Sequence, residues 1–258
     1  MTGPAHRAGH ADLRSRLRSG CLTSTWLSLG CPAIVEVAAH AASDLIVLDL
    51  QHGLWDRASL ESAVGLKPRD GHVIVRVAEN APTAIGQALD SGASGIIVPM
   101  VESAEQARRA VTSAYFPPRG TRSAGGVRPL LEGFDAYRER IEADLLVGAM
   151  IETARGLEQV ESIVRAVGID FVFIGTGDLA VSLKAAGAPD AAHEAACQRI
   201  RATCTKADMP CGIYTGTPDE AARRRGEGFR FVVTATDLGV LSQGFSLAAA
   251  QFNGWSRS

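Results

Sequence analysis

Two acidic residues close two apolar runs in the middle of the chain. Glu152 ends Leu145-Leu-Val-Gly-Ala-Met-Ile-Glu152, and Asp178 ends Ile169-Asp-Phe-Val-Phe-Ile-Gly-Thr-Gly-Asp178. Such runs read as strands buried on both faces of a parallel sheet. A carboxylate just beyond a strand of that kind sits at the carboxyl edge, where α/β enzymes place their chemistry. Two hard oxygen donors at that edge suit a divalent cation. Each acid also has a plainer reading, as a helix cap or a first-turn acid, and Thr153 beside Glu152 is itself a candidate cap.

Three further polar groups end apolar runs. Asp49-Leu-Gln-His52 closes a run in which the carboxylate could orient the imidazole, so that His52 acts as a base. The plainer reading is a capping or core histidine. Arg76 ends His72-Val-Ile-Val-Arg76. A guanidinium emerging from an apolar strand needs an anion. A substrate carboxylate or enolate oxygen would serve, and so would a structural ion pair with Asp49 or Glu152. In Gly175-Thr176-Gly177-Asp178, free amides at Gly177 and Asp178 could bind a carboxylate or a phosphate. Polar residues following four strands are hard to explain by packing alone.

The elements that must position these groups alternate along the chain. Strands are expected near Cys21–Ser28, Asp44–Gln51, His72–Val77, Gly95–Met100, Leu145–Glu152, Asp170–Gly175, Pro210–Tyr214 and Phe229–Thr234. Helices are expected over Ala33–Ala42, Arg57–Leu66, Thr83–Ser91, Ala104–Ser113, Ala154–Val167, His193–Ala207, Asp219–Glu227 and Leu238–Phe252. About eight β-α units in a chain of 258 residues fit an α/β fold of the (β/α)8 TIM-barrel type. A doubly wound open sheet is the alternative, and no G-x-G-x-x-G follows the first strand. The rhythm breaks once, between Ser113 and Leu145. Prolines and glycines there exclude a regular helix before Gly126, and a short helix is expected over Glu132–Glu142. A long ordered loop is usually functional, so Arg119 and Arg122 could meet an acidic or phosphorylated substrate tail, or merely hold the loop at a subunit contact. With no low-complexity linker, residues 1–258 read as one domain.

Composition narrows the function classes. Net charge is −2 and charged residues make up 21%, which gives no general affinity for nucleic acid. No apolar run approaches the ~20 residues that span a bilayer. The five cysteines, Cys21, Cys31, Cys197, Cys204 and Cys211, form no C-x-x-C pair, and no secretory signal precedes them. A reduced, cytoplasmic protein is expected. Residues 1–12 read as a flexible tail, with a transit peptide as the alternative.

Taken in order, several runs resemble the HpcH/HpaI family of class II, metal-dependent pyruvate aldolases. They are Thr25-Trp-Leu-Ser28, Asp44-Leu-Ile-Val-Leu-Asp-Leu-Gln-His-Gly53, Val98-Pro-Met-Val101, Tyr115-Phe-Pro-Pro-Arg-Gly-Thr-Arg122, Met150-Ile-Glu-Thr153 and Phe173-Ile-Gly-Thr-Gly-Asp-Leu179. The resemblance implies a (β/α)8 barrel, commonly a hexamer with an exchanged C-terminal helix, here within 239–258. It implies a divalent cation, Mg2+, Mn2+ or Co2+, held by Glu152 and Asp178. It implies that Arg76 binds pyruvate, that His52 transfers a proton with Asp49 as companion, and that Thr176, Gly177 and Asp178 form the carboxylate-binding turn. The implied substrates are a 2-oxo acid and an aldehyde, joined in a 4-hydroxy-2-oxo acid. The chain departs from the family pattern at Ser24, Gln51, Ser123 and Thr176. These departures keep open a Claisen-type lyase or synthase acting on an acyl thioester, and a barrel that binds without chemistry.

Overall fold

Strands and helices alternate around a closed parallel barrel in the order β1-β2-β3-β4-β5-β6-β7-β8. The computed structural model describes residues 13–40, 43–68 and 70–255, so the expected N-terminal tail lies outside the described residues. Helix α1 (Leu13–Ser19) precedes β1 (Leu22–Leu27), and α2 (Pro32–Ala39) returns the chain to β2 (Leu45–Asp49). Helix α3 (Arg57–Leu66) leads to β3 (His72–Arg76), and α4 (Pro82–Asp90) to β4 (Gly95–Val98). Three helices, α5 (Ala104–Ala114), α6 (Val127–Glu132) and α7 (Phe134–Asp144), separate β4 from β5 (Leu146–Ile151). Helices α8 (Ala154–Glu158) and α9 (Val160–Ile163) precede β6 (Phe171–Ile174). Helices α10 (Thr176–Ala185) and α11 (Ala192–Lys206) precede β7 (Cys211–Ile213). Helix α12 (Pro218–Gly226), β8 (Phe231–Thr236) and α13 (Asp237–Trp255) follow. Pairing of Leu22 with Phe231 closes β8 onto β1.

The pleat sorts each strand into two cores. Trp26, Val47, Ile74, Ile97, Met150, Phe171, Phe173 and Phe231 fill the barrel interior. Their neighbours Leu27, Leu48, Val75, Val98, Ile151 and Val172 pack outward against the helices. Alternation of period two is the ordinary consequence of strand geometry. Leu13 and Leu17 of α1 belong to the interior cluster, so this helix closes the amino-terminal end. Side-chain caps from Asp56, Ser103, Thr153 and Thr217 start α3, α5, α8 and α12. Each is worth about 1 kcal/mol.

All eight expected strands are present, with ends moved by a few residues. The helix expected over Ala154–Val167 is instead two short helices that meet at Gln159, with φ −93° and ψ 7°. The one expected over Glu132–Glu142 begins later, at Phe134, because Gly133 with φ 94° separates α6 from α7. The helix expected over Ala33–Ala42 ends at Ala39 among the described residues.

Candidate active site

Pleat parity and register bring the polar groups together. Asp49, Arg76 and Glu152 each stand two residues beyond an interior residue, namely Val47, Ile74 and Met150. They therefore continue the inward face at the carboxyl ends of their strands. Asp49 and Arg76 are register partners across β2 and β3. Arg76 Nε donates to Asp49 Oδ1 at 2.8 Å, and Arg76 Nη2 donates to Oδ2 at 2.5 Å. This is a fork-on-carboxylate pair. Trp26 Nε1 donates to the same carboxylate at 3.3 Å, and the amides of Gln51 and His52 donate at 3.0 and 3.2 Å. Burial pushes the Asp49 carboxyl up, but the hydrogen bonds and charge of Arg76, with the His52 amide, hold it below its usual value.

The structural ion pair raised for Arg76 is thus real, and it engages two of the three guanidinium nitrogens. Nε and Nη2 are committed to Asp49. Nη1 faces the Met150 sulfur at 3.9 Å, and the guanidinium carbon lies 5.0 Å from the Trp26 ring centre. The expectation that Asp49 orients the His52 ring is corrected. Asp49 receives the His52 backbone amide, while the imidazole Nε2 lies 3.8 Å from Asp178 Oδ2. Chain proximity suggested the first pairing, but the β2–β3 register gives the carboxylate to Arg76.

Glu152 is 1% exposed. Its Oε1 accepts from the Met100 amide at 2.7 Å, and its Oε2 is buried without a hydrogen-bond partner. Met100 adopts φ 55°, a region few non-glycine residues occupy. Burial pushes the Glu152 carboxyl up to about 7. The Met100 amide and Arg76 oppose the rise, and the nearby Asp178 adds to it. Gly175 makes room for this carboxylate, since a Cβ there would lie 2.6 Å from Glu152 Oε2. Thr153, not Glu152, caps α8, accepting from the Gly156 amide at 3.0 Å. Asp178 lies in the first turn of α10, so the helix-end reading and the site reading coincide there. The amides of Thr176, Gly177 and Asp178 occupy the turn whose N–H groups have no helical acceptor.

Sequence reasoning missed two aromatic residues and one backbone donor. Trp26 stacks on Phe173 with ring centres 5.7 Å apart, and Tyr214 meets Trp26 edge-on at 5.3 Å. Tyr214 stands two residues beyond Gly212 on β7, and burial pushes its hydroxyl up, with Arg76, Asp49 and Asp237 all near enough to act on it. Pleat parity would have flagged it. The Met100 amide carried no signal in its residue type.

Arg119 and Arg122 do not reach this mouth. They follow α5, which runs back to the amino-terminal end of the barrel. Arg119 pairs with Glu142 at 2.9 Å and lies 3.5 Å from the Tyr115 ring centre. Arg122 is 5% exposed and donates to Asp90 and to the Tyr137 hydroxyl, both at 2.7 Å. Within this chain both arginines tie the loop to its neighbours. A cavity of about 720 Å³ also lies at that end, lined by Lys67, His72, Arg128 and Arg140 among others. Convergence of charge, rather than cavity volume, marks the site.

Residues 22–243 match the pattern of the family described as HpcH/HpaI aldolase/citrate lyase. The chain belongs to that family. The match runs from β1 into α13, so every residue of the cluster lies inside it. This HpcH/HpaI chain is 34% identical over 239 residues to a hydroxypyruvate/pyruvate aldolase of Paraburkholderia phytofirmans, covering 88% of this chain and 91% of the relative. It is 36% identical over 236 residues to a 4-hydroxy-2-oxovalerate aldolase of Rhodococcus jostii, covering 88% and 90%. Its fold matches the crystal structure of an HpcH/HpaI aldolase/citrate lyase family protein from Burkholderia cenocepacia with a TM-score of 0.86 and 31% identity, covering 93% and 98%.

Proposed function

We propose that this chain is a divalent-cation-dependent aldolase, a carbon–carbon lyase that forms or cleaves a 4-hydroxy-2-oxo acid from pyruvate, or a related 2-oxo acid, and an aldehyde. The observation that carries this reading is the unpaired, buried Oε2 of Glu152 beside Asp178, near an Arg76 whose Nη1 faces the soft Met150 sulfur. A buried carboxylate oxygen without a donor is costly, and a cation held by Glu152 and Asp178 would satisfy it. Among the described residues no cluster of three or more acidic, histidine or cysteine side chains forms. The remaining oxygen ligands would therefore come from substrate and water, as in sites that bind their cation together with the substrate. Mg2+, Mn2+ and Co2+ are the candidates. Bound there, the cation would supply Lewis-acid stabilisation of the negative charge on the keto oxygen.

The chain's own residues do the rest. The amides of Gly177 and Asp178 bind the substrate carboxylate, aided by the positive end of α10. Thr176 shapes that turn. Arg76 Nη1 faces the keto oxygen and stabilises charge as it develops, while Asp49 fixes the guanidinium plane. Trp26, Phe173 and Met150 form an apolar floor that keeps water from below. In cleavage, His52 Nε2 takes the proton of the 4-hydroxyl. The C3–C4 bond breaks, its electron pair passes to the three-carbon fragment as the enolate, and C4 leaves as the aldehyde carbonyl; C3 then takes a proton from water to give pyruvate, and His52 releases its proton to solvent. Condensation reverses these steps, and His52 returns the proton to the aldehyde oxygen. No Schiff base is required. The three lysines are Lys67, Lys184 and Lys206; Lys67 lines the cavity at the opposite end, and the other two end α10 and α11.

Proton NMR of pyruvate in D2O tests this without knowledge of the acceptor. Added Mg2+ or Mn2+ should drive loss of the methyl signal, and a chelator or Glu152→Ala should stop it. Exchange that survives both would overturn the reading. The exposed apolar side chains of α13, including Val240, Phe245, Leu247 and Phe252, support a homo-oligomer, a hexamer by family resemblance, in which this helix packs on another copy. Among the described residues no helix is long and apolar enough to cross a membrane. Cytoplasmic placement rests on the unpaired cysteines.

A further inference from the structure

The turn from Gly175 to Asp178 carries much of what the proposed site needs, and it opens α10, so beyond that helix's own backbone bonds few contacts hold it. Gly177 and Asp178 are exposed, and a Cβ at Gly177 would meet nothing within 4 Å. The buried Leu179 anchors the turn from behind, its amide donating to the Gly175 carbonyl at 3.0 Å. The Thr176 hydroxyl donates to the Tyr214 carbonyl at 3.3 Å, which is long for such a bond. A further tether comes from α11. His193 Nε2 lies 3.0 Å from the Thr176 carbonyl oxygen. A carbonyl only accepts, so Nε2 carries the hydrogen and donates. Cys197, one helical turn further on, lies 3.9 Å from the same nitrogen and packs beside the ring.

We infer that His193 is a positioning residue for the proposed site: its Nε2–H clamps the Thr176 carbonyl and so fixes the direction of the Gly177 and Asp178 amides and of the Asp178 carboxylate. The inference rests on the reading of Glu152 and Asp178 as the cation-binding pair. His193 touches neither substrate nor cation. It acts by geometry alone, because a first turn held less firmly would let the Asp178 carboxylate shift relative to Glu152. Loss of an N–H···O=C bond such as this one, at 3.0 Å, costs roughly a factor of five in binding.

Two polar replacements separate positioning from general stability. The His193→Gln side chain carries an amide N–H close to where the histidine Nε2 sits, whereas the His193→Asn side chain is one methylene too short to reach Thr176. Binding of Mn2+ alone is read by electron paramagnetic resonance, and KM and kcat for pyruvate proton exchange are measured with thermal unfolding as a control. His193→Asn should raise the Mn2+ dissociation constant and the pyruvate KM roughly fivefold, and His193→Gln should restore most of both. If His193→Asn binds Mn2+ as wild type does, with or without a lower melting temperature, the inference is overturned. Equal loss in both variants overturns it too, since rescue by reach is its signature. Asp178→Asn, run alongside, tests the underlying reading. If Mn2+ binding survives that change, the acid-pair assignment fails and takes the inference with it. If binding is lost there but unchanged in His193→Asn, only the His193 inference fails.

Discussion

Glu152 should make the cation-free protein less stable as pH rises, and a cation should reverse the loss. Its carboxyl titrates at about 7 in the folded chain against 4.5 for the reference group, chiefly through burial. A folded state that holds the proton more tightly than the unfolded chain is stabilised by protonation. The contribution is fully present below about 4.5 and is lost as pH rises through about 7. Evaluated from those two values, it falls by roughly 2 kcal/mol between about pH 5.5 and about pH 8.5. Unfolding entropy near 2.1 cal/mol/K per residue gives roughly 0.5 kcal/mol/K for 258 residues. The melting temperature of the metal-free protein should therefore drop by about 4 °C over that range, relative to Glu152→Gln, which cannot ionise. Subtracting the variant removes the titration that both proteins share. At about pH 8.5, Mn2+ at a hundred times its dissociation constant should add about 2.7 kcal/mol, or about 5 °C, to wild type. It should add little to Glu152→Gln. Differential scanning calorimetry with and without EDTA supplies all four curves. Parallel pH profiles for wild type and Glu152→Gln, or equal rescue of both by Mn2+, would refute the reasoning.

Other changes at the mouth have distinct expected outcomes. Gly175→Ala would place a Cβ 2.6 Å from Glu152 Oε2 and 2.9 Å from its Cβ, so Mn2+ binding should weaken at least tenfold in a folded protein, checked by titration calorimetry and circular dichroism. Arg76→Ala leaves Asp49 buried with only neutral donors; denaturant unfolding should show a loss of about 3–5 kcal/mol, and pyruvate exchange should vanish. His52→Gln should slow aldol turnover by roughly 10²–10⁴ while leaving the pyruvate KM within a few-fold, a split that steady-state kinetics reads directly. Replacing Phe245 and Phe252, both exposed on α13, with Glu should shift the mass found by light scattering toward the monomer, with the barrel's circular dichroism retained.

The fold was legible because both period-two phases of each strand are apolar, which only a strand covered on both faces requires. The chemistry-bearing positions were legible for a related reason: a polar residue that breaks such a run at its end has nowhere to go but the carboxyl mouth. What the sequence did not show is who pairs with whom. Asp49 lies three residues from His52, and that nearness suggested a dyad. The pairing follows register instead, which sets Asp49 opposite Arg76 and leaves the imidazole nearest to Asp178, over a hundred residues away in the chain. Arg119 and Arg122 went astray for a different reason, and it was avoidable. A segment that follows a helix and precedes a strand in a barrel lies at the amino end by connectivity alone. Both arginines come after α5 and before β5, so their own chain's mouth was excluded before any coordinates. Tyr214 shows the converse. In the sequence it marks only a strand end, but its place two residues beyond Gly212 on the inward phase puts it beside Trp26 at the mouth. In a barrel, then, parity says which side chains face the interior, connectivity says at which end they lie, and register says which of them meet. The first two can be read from one sequence. The third needs the fold, because the shift between neighbouring strands is fixed by the closure of all eight.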